Sequence, residues 1–150
     1  MRLLGVLTMT YLPISSSKPD RKLQRLALLA LLGPYLISGV LKLFDWGGAQ
    51  AEVAALTGLA PGPLLMLVAA GVIVLQLGAS LWLLSERRGA WLAALALAGF
   101  TLVATFLAHT WWHLPPGAER AQAFNGFWEH IALVGALVFA GATSDRKDMT

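Results

Sequence analysis

Polar side chains are costly in hydrocarbon, so those that interrupt long apolar runs are the first places to look for chemistry. This chain of 150 residues has few of them. Lys42 closes one apolar run and Gln76 lies deep in the next; Thr101, Thr105 and His109 recur every fourth residue in a third; Asn125, Glu129 and His130 open a fourth. A spacing of four puts Thr101, Thr105 and His109 on one helix face and Asn125 and Glu129 on another, with Gln76 and Ser80 as a third row. A carboxylate below the membrane interface needs a proton or a cation, and an imidazole titrates near neutrality. Glu129 and His109 are therefore the candidate catalytic, proton-handling groups. Lys42 suits an anion or a carbonyl oxygen, while Gln76 and Thr105 suit the orienting of a ligand by hydrogen bonds. Asn125, His130 and Trp112 complete the candidate binding set, Trp112 by ring stacking.

Each residue also has a plainer reading. Lys42 can snorkel to the headgroups from a helix end, and Trp112 can anchor the chain at the interface. His109, Gln76 and Thr105 can hold helices together, and His130 points about 100° away from Glu129 on a helix. A direct ion pair between Lys42 and Glu129 is a further expectation, because it would let both stay charged. A metal reading fares worse. His109 and His113 with Glu129 or His130 have ligand chemistry, but Leu114-Pro115-Pro116 ends the helix at His113 and undoes the i,i+4 geometry. No metal is expected. Nucleophile elbow, phosphate loop and dinucleotide fingerprint are all missing.

Four apolar stretches must position these residues: 23–44, 64–84, 90–112 and 124–142. Each is long enough, at 1.5 Å per residue, to approach the roughly 30 Å of a bilayer core. With 57% hydrophobic and 13% charged residues, the chain is neither disordered nor composed like a solvated enzyme domain, where about 25% would be charged. The expected fold is an all-α integral membrane bundle of four transmembrane helices over 23–143. Ser85 to Gly89 should make a tight turn. Gly71 and Gly78 should allow close helix approach, and Pro34 should kink the first span. Asp45 to Pro63 is longer, and Ala49, Val53, Ala54 and Leu56-Thr57 predict a short interfacial helix there. Residues 113–123 read as a polar loop. Residues 1–22 read as a loosely held or interfacial leader, with Met9 as a competing start, and 144–150 as a cytoplasmic tail.

Orientation follows from the basic residues. With the N-terminus inside, nine lie on the cytoplasmic side (Arg2, Lys18, Arg21, Lys22, Arg25, Arg87, Arg88, Arg146, Lys147) and two outside (Lys42, Arg120). That bias predicts an N-in/C-in topology, and it opens the polar rows toward the outer face. The same distribution explains the net charge of +3 without nucleic acid, since no basic run is interleaved with aromatics. With no cysteine, disulfides, dithiol redox chemistry and thiolate metal sites are excluded.

Ser38-Gly39-Val40-Leu41-Lys42-Leu43 resembles the small-Gly-x-x-Lys motif that ends the first helix of the DoxX family. The likeness continues through the long first loop, the Pro-rich start of the second span, Gln76 to Leu84 and the basic turn at Arg87-Arg88. Thr105 to His109 and Phe127 to Gly135 match more loosely, for a coverage of about 22–143. The resemblance implies a multi-pass inner-membrane protein associated with redox systems. A quinone is its implied cofactor, with the lipid bilayer and a redox protein as partners. At most it implies a subunit of a quinone-linked oxidoreductase. Gln76 stands where the family often carries a glutamate, which removes a titratable group. The competing class is a non-enzymatic module for small-molecule transport, binding or assembly.

Overall fold

A computed structural model describes residues 20–145, and every regular element in that stretch is helical. Of the leader expected over 1–22, residues 1–19 lie outside the described residues and Arg21 and Lys22 are already helical; of the tail expected over 144–150, residues 146–150 lie outside them and residues 144 and 145 are still helical. Helix α1 is Arg21–Phe44, α2 is Trp46–Thr57, α3 is Pro63–Leu84, α4 is Ala90–Ala108 and α5 is Ala118–Asp145. Four segments are long and apolar enough to cross a membrane: α1, α3, α4 with the turn that follows it, and α5. The all-α architecture with four candidate spans therefore stands.

Local chemistry sets the boundaries. The Asp20 carboxylate accepts from the backbone N–H of Lys22 at 2.9 Å and caps α1. Asp45 ends α1 and caps α2, its carboxylate accepting from Gly48 N–H at 2.8 Å. Gly58 closes α2 in the left-handed conformation (φ 71°), and Pro63 supplies the first turn of α3, where a missing N–H costs nothing. Ser85 to Gly89 makes the expected tight turn between α3 and α4.

Two boundaries differ from the expected ones. Helix α4 stops at Ala108, His109 leaves the helix with φ −114° and ψ 58°, and only a 3₁₀ turn follows at Trp111–His113. The span expected over 90–112 is thus α-helical only to Ala108. Helix α5 begins at Ala118 rather than Phe124, so much of the expected polar loop is helix. Alanines 118, 121 and 123 favour a helix, and Glu119 sits well against the positive end of its dipole. The charge of Glu119 and Arg120 hides that helix from a reading by hydropathy.

Helix α4 is the centre of the bundle. Ala90, Ala93, Ala94, Leu97, Ala98, Thr101 and Thr105 are buried along it and meet Leu32 and Tyr35 of α1, Leu83 of α3 and Leu137 of α5. In lipid, packing rather than water expulsion holds helices together, so small side chains that admit a close neighbour are the useful ones. The closest approaches are not at Gly71 or Gly78, which have nothing within 4 Å of a notional Cβ. They occur at Gly39, against Leu77, at Gly126, against His109, and at Gly141, against Ala94. Helix α2 buries Ala49 and Val53, the latter packed with Leu65 and Ala69 of α3. This helix covers the ends of α1 and α3.

Candidate functional site

Beneath α2 a cavity of about 280 Å³ reaches into the bundle. Its polar wall is Tyr35 and Ser38 from α1, Glu52 from α2, Gln76 from α3, Thr101 and Thr105 from α4, with His109 and His130 alongside. Tyr35, Gln76, Thr101 and Thr105 are buried, at 5%, 6%, 3% and 1% exposure. The Tyr35 and Thr101 hydroxyls meet at 2.5 Å. Thr101 donates to Leu97 O at 2.7 Å and Thr105 to Thr101 O at 2.6 Å, the back-bonding expected of threonine inside a helix. The expected Thr101–Thr105–His109 row is therefore real up to the helix end, and His113 does not extend it.

Gln76 is held differently. Residues Leu75–Ala79 form a π-helical segment inside α3, a wide turn that recurs at functional sites. Gln76 Oε1 and Ser80 Oγ are shut off from the surface and have no hydrogen-bond partner among the described residues. A buried acceptor left unpaired costs about 1–3 kcal/mol.

A second recess, of about 600 Å³, lies on the other side of the histidines and is lined by Gln122, Asn125, Gly126 and Glu129. The His109 and His130 rings stand between the two, their centroids 4.8 Å apart. A Cβ on Gly126 would come within 2.7 Å of the His109 ring, so the missing side chain admits that ring. His130 Nδ1 lies 2.7 Å from Gly126 O. A carbonyl only accepts, so this nitrogen carries the hydrogen in that contact.

The predicted residues thus divide. Gln76, Thr105, His109 and His130 converge on the cavity, while Asn125 and Glu129 face the second recess and are exposed. Trp112 lines neither. It packs in an aromatic cluster with Phe106, Trp111 and Phe127 at the end of α4. Lys42 lines a third recess, and the pair expected with Glu129 is not formed. Its ammonium instead meets Glu52 Oε2 at 2.9 Å and donates to Ser38 Oγ at 2.7 Å. The reason is connectivity: α2 follows α1 after a single residue and carries Glu52 back over the end of α1, whereas Glu129 sits on the far side of the histidines.

Tyr35 and Glu52 were not singled out from the sequence. A hydroxyl in the middle of an apolar span is a signal of the kind that marked Gln76, and it points to Tyr35. Nothing comparable marks Glu52, an acidic residue on a helix read as lying at the surface.

Against known proteins, the family model described as DoxX matches residues 24–110. That segment takes in α1 to α4, and with them Lys42, Gln76, Thr105 and His109, but leaves out Asn125, Glu129 and His130. No curated protein and no solved structure gives a significant match. The matched segment exceeds half of the chain and contains the helices that build the polar wall, and on that ground this multi-pass membrane protein belongs to the DoxX family.

Proposed function

We propose that the protein holds a quinone or another small polar molecule in the cavity beneath α2, as a component of a membrane redox system. The observation that carries this reading is a cavity walled by buried polar side chains from three helices, Tyr35, Gln76, Thr101 and Thr105, inside an otherwise apolar bundle. A volume of about 280 Å³ is just under the range of roughly 300–1,000 Å³ for drug-sized ligands, so one ring-sized head group is the scale implied. Gln76, Thr105 and Tyr35 would hold that head group, which would supply the two-electron chemistry that a chain without cysteine cannot. His109 and His130, and Glu129 from the second recess, would handle protons at the mouth. In an N-in/C-in orientation in the inner membrane, α2 lies in the outer interface and the cavity opens outward. The redox partner would be a separate protein, making this chain at most a subunit of a quinone-linked oxidoreductase.

The second reading, a non-enzymatic transport, binding or assembly module, is favoured by α5. Only 6% of its apolar window is buried within the chain, and Trp128 and Phe139 are exposed, which leaves a broad face for lipid or another protein. Purification in mild detergent separates the two. We expect a small molecule with quinone-type ultraviolet absorbance to co-purify with the wild type and to be lost from Gln76→Leu and His109→Ala. A purified protein that retains another polypeptide and no such molecule would overturn the first reading in favour of the second.

A further inference from the structure

We propose that the groove between the start of α1 and the end of α5 binds a phospholipid whose headgroup carries a primary ammonium beside its phosphate, the chemistry of phosphatidylethanolamine. The groove shares no lining residue with the cavity beneath α2 and does not depend on what that cavity holds. Helices α1 and α5 both reach the core, at Leu32 and Leu137, which are fully buried. Closer to the start of α1 and the end of α5, a recess of about 390 Å³ lies between them, lined by Ala27 of α1 and Ala136 and Ala140 of α5. Small residues usually let membrane helices close on each other; these three face a gap instead. From Gln24 to Leu31 the gap follows α1 for about 10 Å at 1.5 Å per residue. A gap that borders hydrocarbon takes an acyl chain without burying a polar group.

The headgroup is decided by the polar end. Gln24, Glu86, Thr143 and Ser144 gather where α1 begins, α5 ends and the turn between α3 and α4 passes. All four are half-buried or exposed, so a molecule in the groove can reach them. Thr143 gives its hydroxyl hydrogen to Phe139 O and Ala140 O at 3.1 and 3.0 Å, and Ser144 gives its own to Ala140 O at 2.8 Å. Both oxygens keep only lone pairs, and the Glu86 carboxylate only accepts. This end therefore calls for N–H donors on a cation. Positive charge stands alongside it. Arg25 Nε lies 3.6 Å from Glu86 Oε1, and Arg21, three residues before Gln24 and seven before Leu28, shares their helix face. An ethanolamine headgroup sets its phosphate on the arginines and its ammonium on Glu86, Thr143 and Ser144, which extends the Arg25–Glu86 pair without breaking it. A glycerol headgroup brings the anion to Glu86 with no cation. A choline headgroup brings the cation with no N–H for the hydroxyl oxygens.

The test is a competition read by native mass spectrometry. The purified, delipidated full-length protein is mixed in detergent with equal amounts of phosphatidylethanolamine, phosphatidylcholine and phosphatidylglycerol that carry the same acyl chains. The first lipid retained should be phosphatidylethanolamine, at least about threefold over either competitor, the modest margin of a charge-assisted contact at a half-exposed site. Glu86→Gln should bring the ethanolamine and choline lipids within about 1.5-fold of each other. Ala140→Phe, which fills the groove, should lower retention of the first lipid at least about twofold; unchanged retention would place the lipid elsewhere and overturn the inference. The ratio is internal to each sample, so the wild type alone judges the inference should a variant fold poorly. Equal retention of the three lipids means an unselective lipid coat and overturns it. Phosphatidylglycerol or phosphatidylcholine retained as well as phosphatidylethanolamine, or better, overturns it too, because the headgroup is then not read as argued. A stable dimer that retains no lipid also overturns it, in favour of a second copy in the groove. None of these outcomes bears on the cavity beneath α2.

Discussion

On one side of the His109–His130 ring pair the deep lining is Tyr35, Gln76, Thr101 and Thr105, all buried, with half-buried Ser38 and exposed Glu52 toward α2; on the other it is Gln122, Asn125 and Glu129, all exposed. Both recesses are polar, yet their polar groups live under different rules. In the first, the polar groups are enclosed by three packed helices, and a group without a partner carries its full desolvation cost. In the second, one helix presents its side chains to whatever lies outside. Helix α5 has 28 residues, about 42 Å at 1.5 Å per residue, against a hydrocarbon core of roughly 30 Å. The excess of about 12 Å lets the first turns, as far as Asn125, stand clear of the hydrocarbon, and Glu129, one turn further on, lies within about a turn of its edge. Polarity alone does not make a site; enclosure by several elements does.

The strongest way to test that contrast is Gln76→Leu. Removing the orphaned amide should stabilise the unliganded protein by about 1–2 kcal/mol in mixed-micelle denaturation, although the residue lies in the ligand-binding wall. Lost stability would mean that Gln76 is already satisfied and that the two walls differ less than the geometry says.

A double-mutant cycle sharpens the placement of Lys42. Lys42→Met and Glu52→Gln should show a coupling of about 1 kcal/mol, because the pair is half shielded, with side-chain exposures of 10% and 53%. The same cycle with Glu129→Gln should be additive within about 0.3 kcal/mol, and coupling there would return Glu129 to the Lys42 side.

The smallest effect belongs to the exposed wall. Asn125→Ala and Glu129→Gln should each change stability by less than about 0.5 kcal/mol in the same assay. A loss of 2 kcal/mol or more would show that something covers this recess in the assembled protein.

Much of the frame was legible from residue order. Four apolar runs, the Ser85 to Gly89 turn and a helix carrying Ala49 and Val53 all follow from periodicity and turn chemistry, which act locally. The start of α5 was not legible, since Glu119, Arg120 and Gln122 read as loop by hydropathy while forming a helix by propensity. Nor were the close contacts at Gly39 and Gly141, because glycine says a neighbour can approach but not which glycine has one.

For the site, the rule that polar groups in apolar runs are purposeful picked out Gln76, Thr105, His109 and His130, and these converge. The amino-acid order determined their depth and their helix faces, because both depend on spacing along one element. Tertiary structure alone decided the partners. Thr101 meets Tyr35 across 66 positions of sequence, Lys42 turns to Glu52 rather than Glu129, and Gln76 is left with an acceptor that nothing in the wall fills. Pairing between helices depends on which neighbours the packing of small side chains brings close, and spacing along a single helix carries no record of that choice.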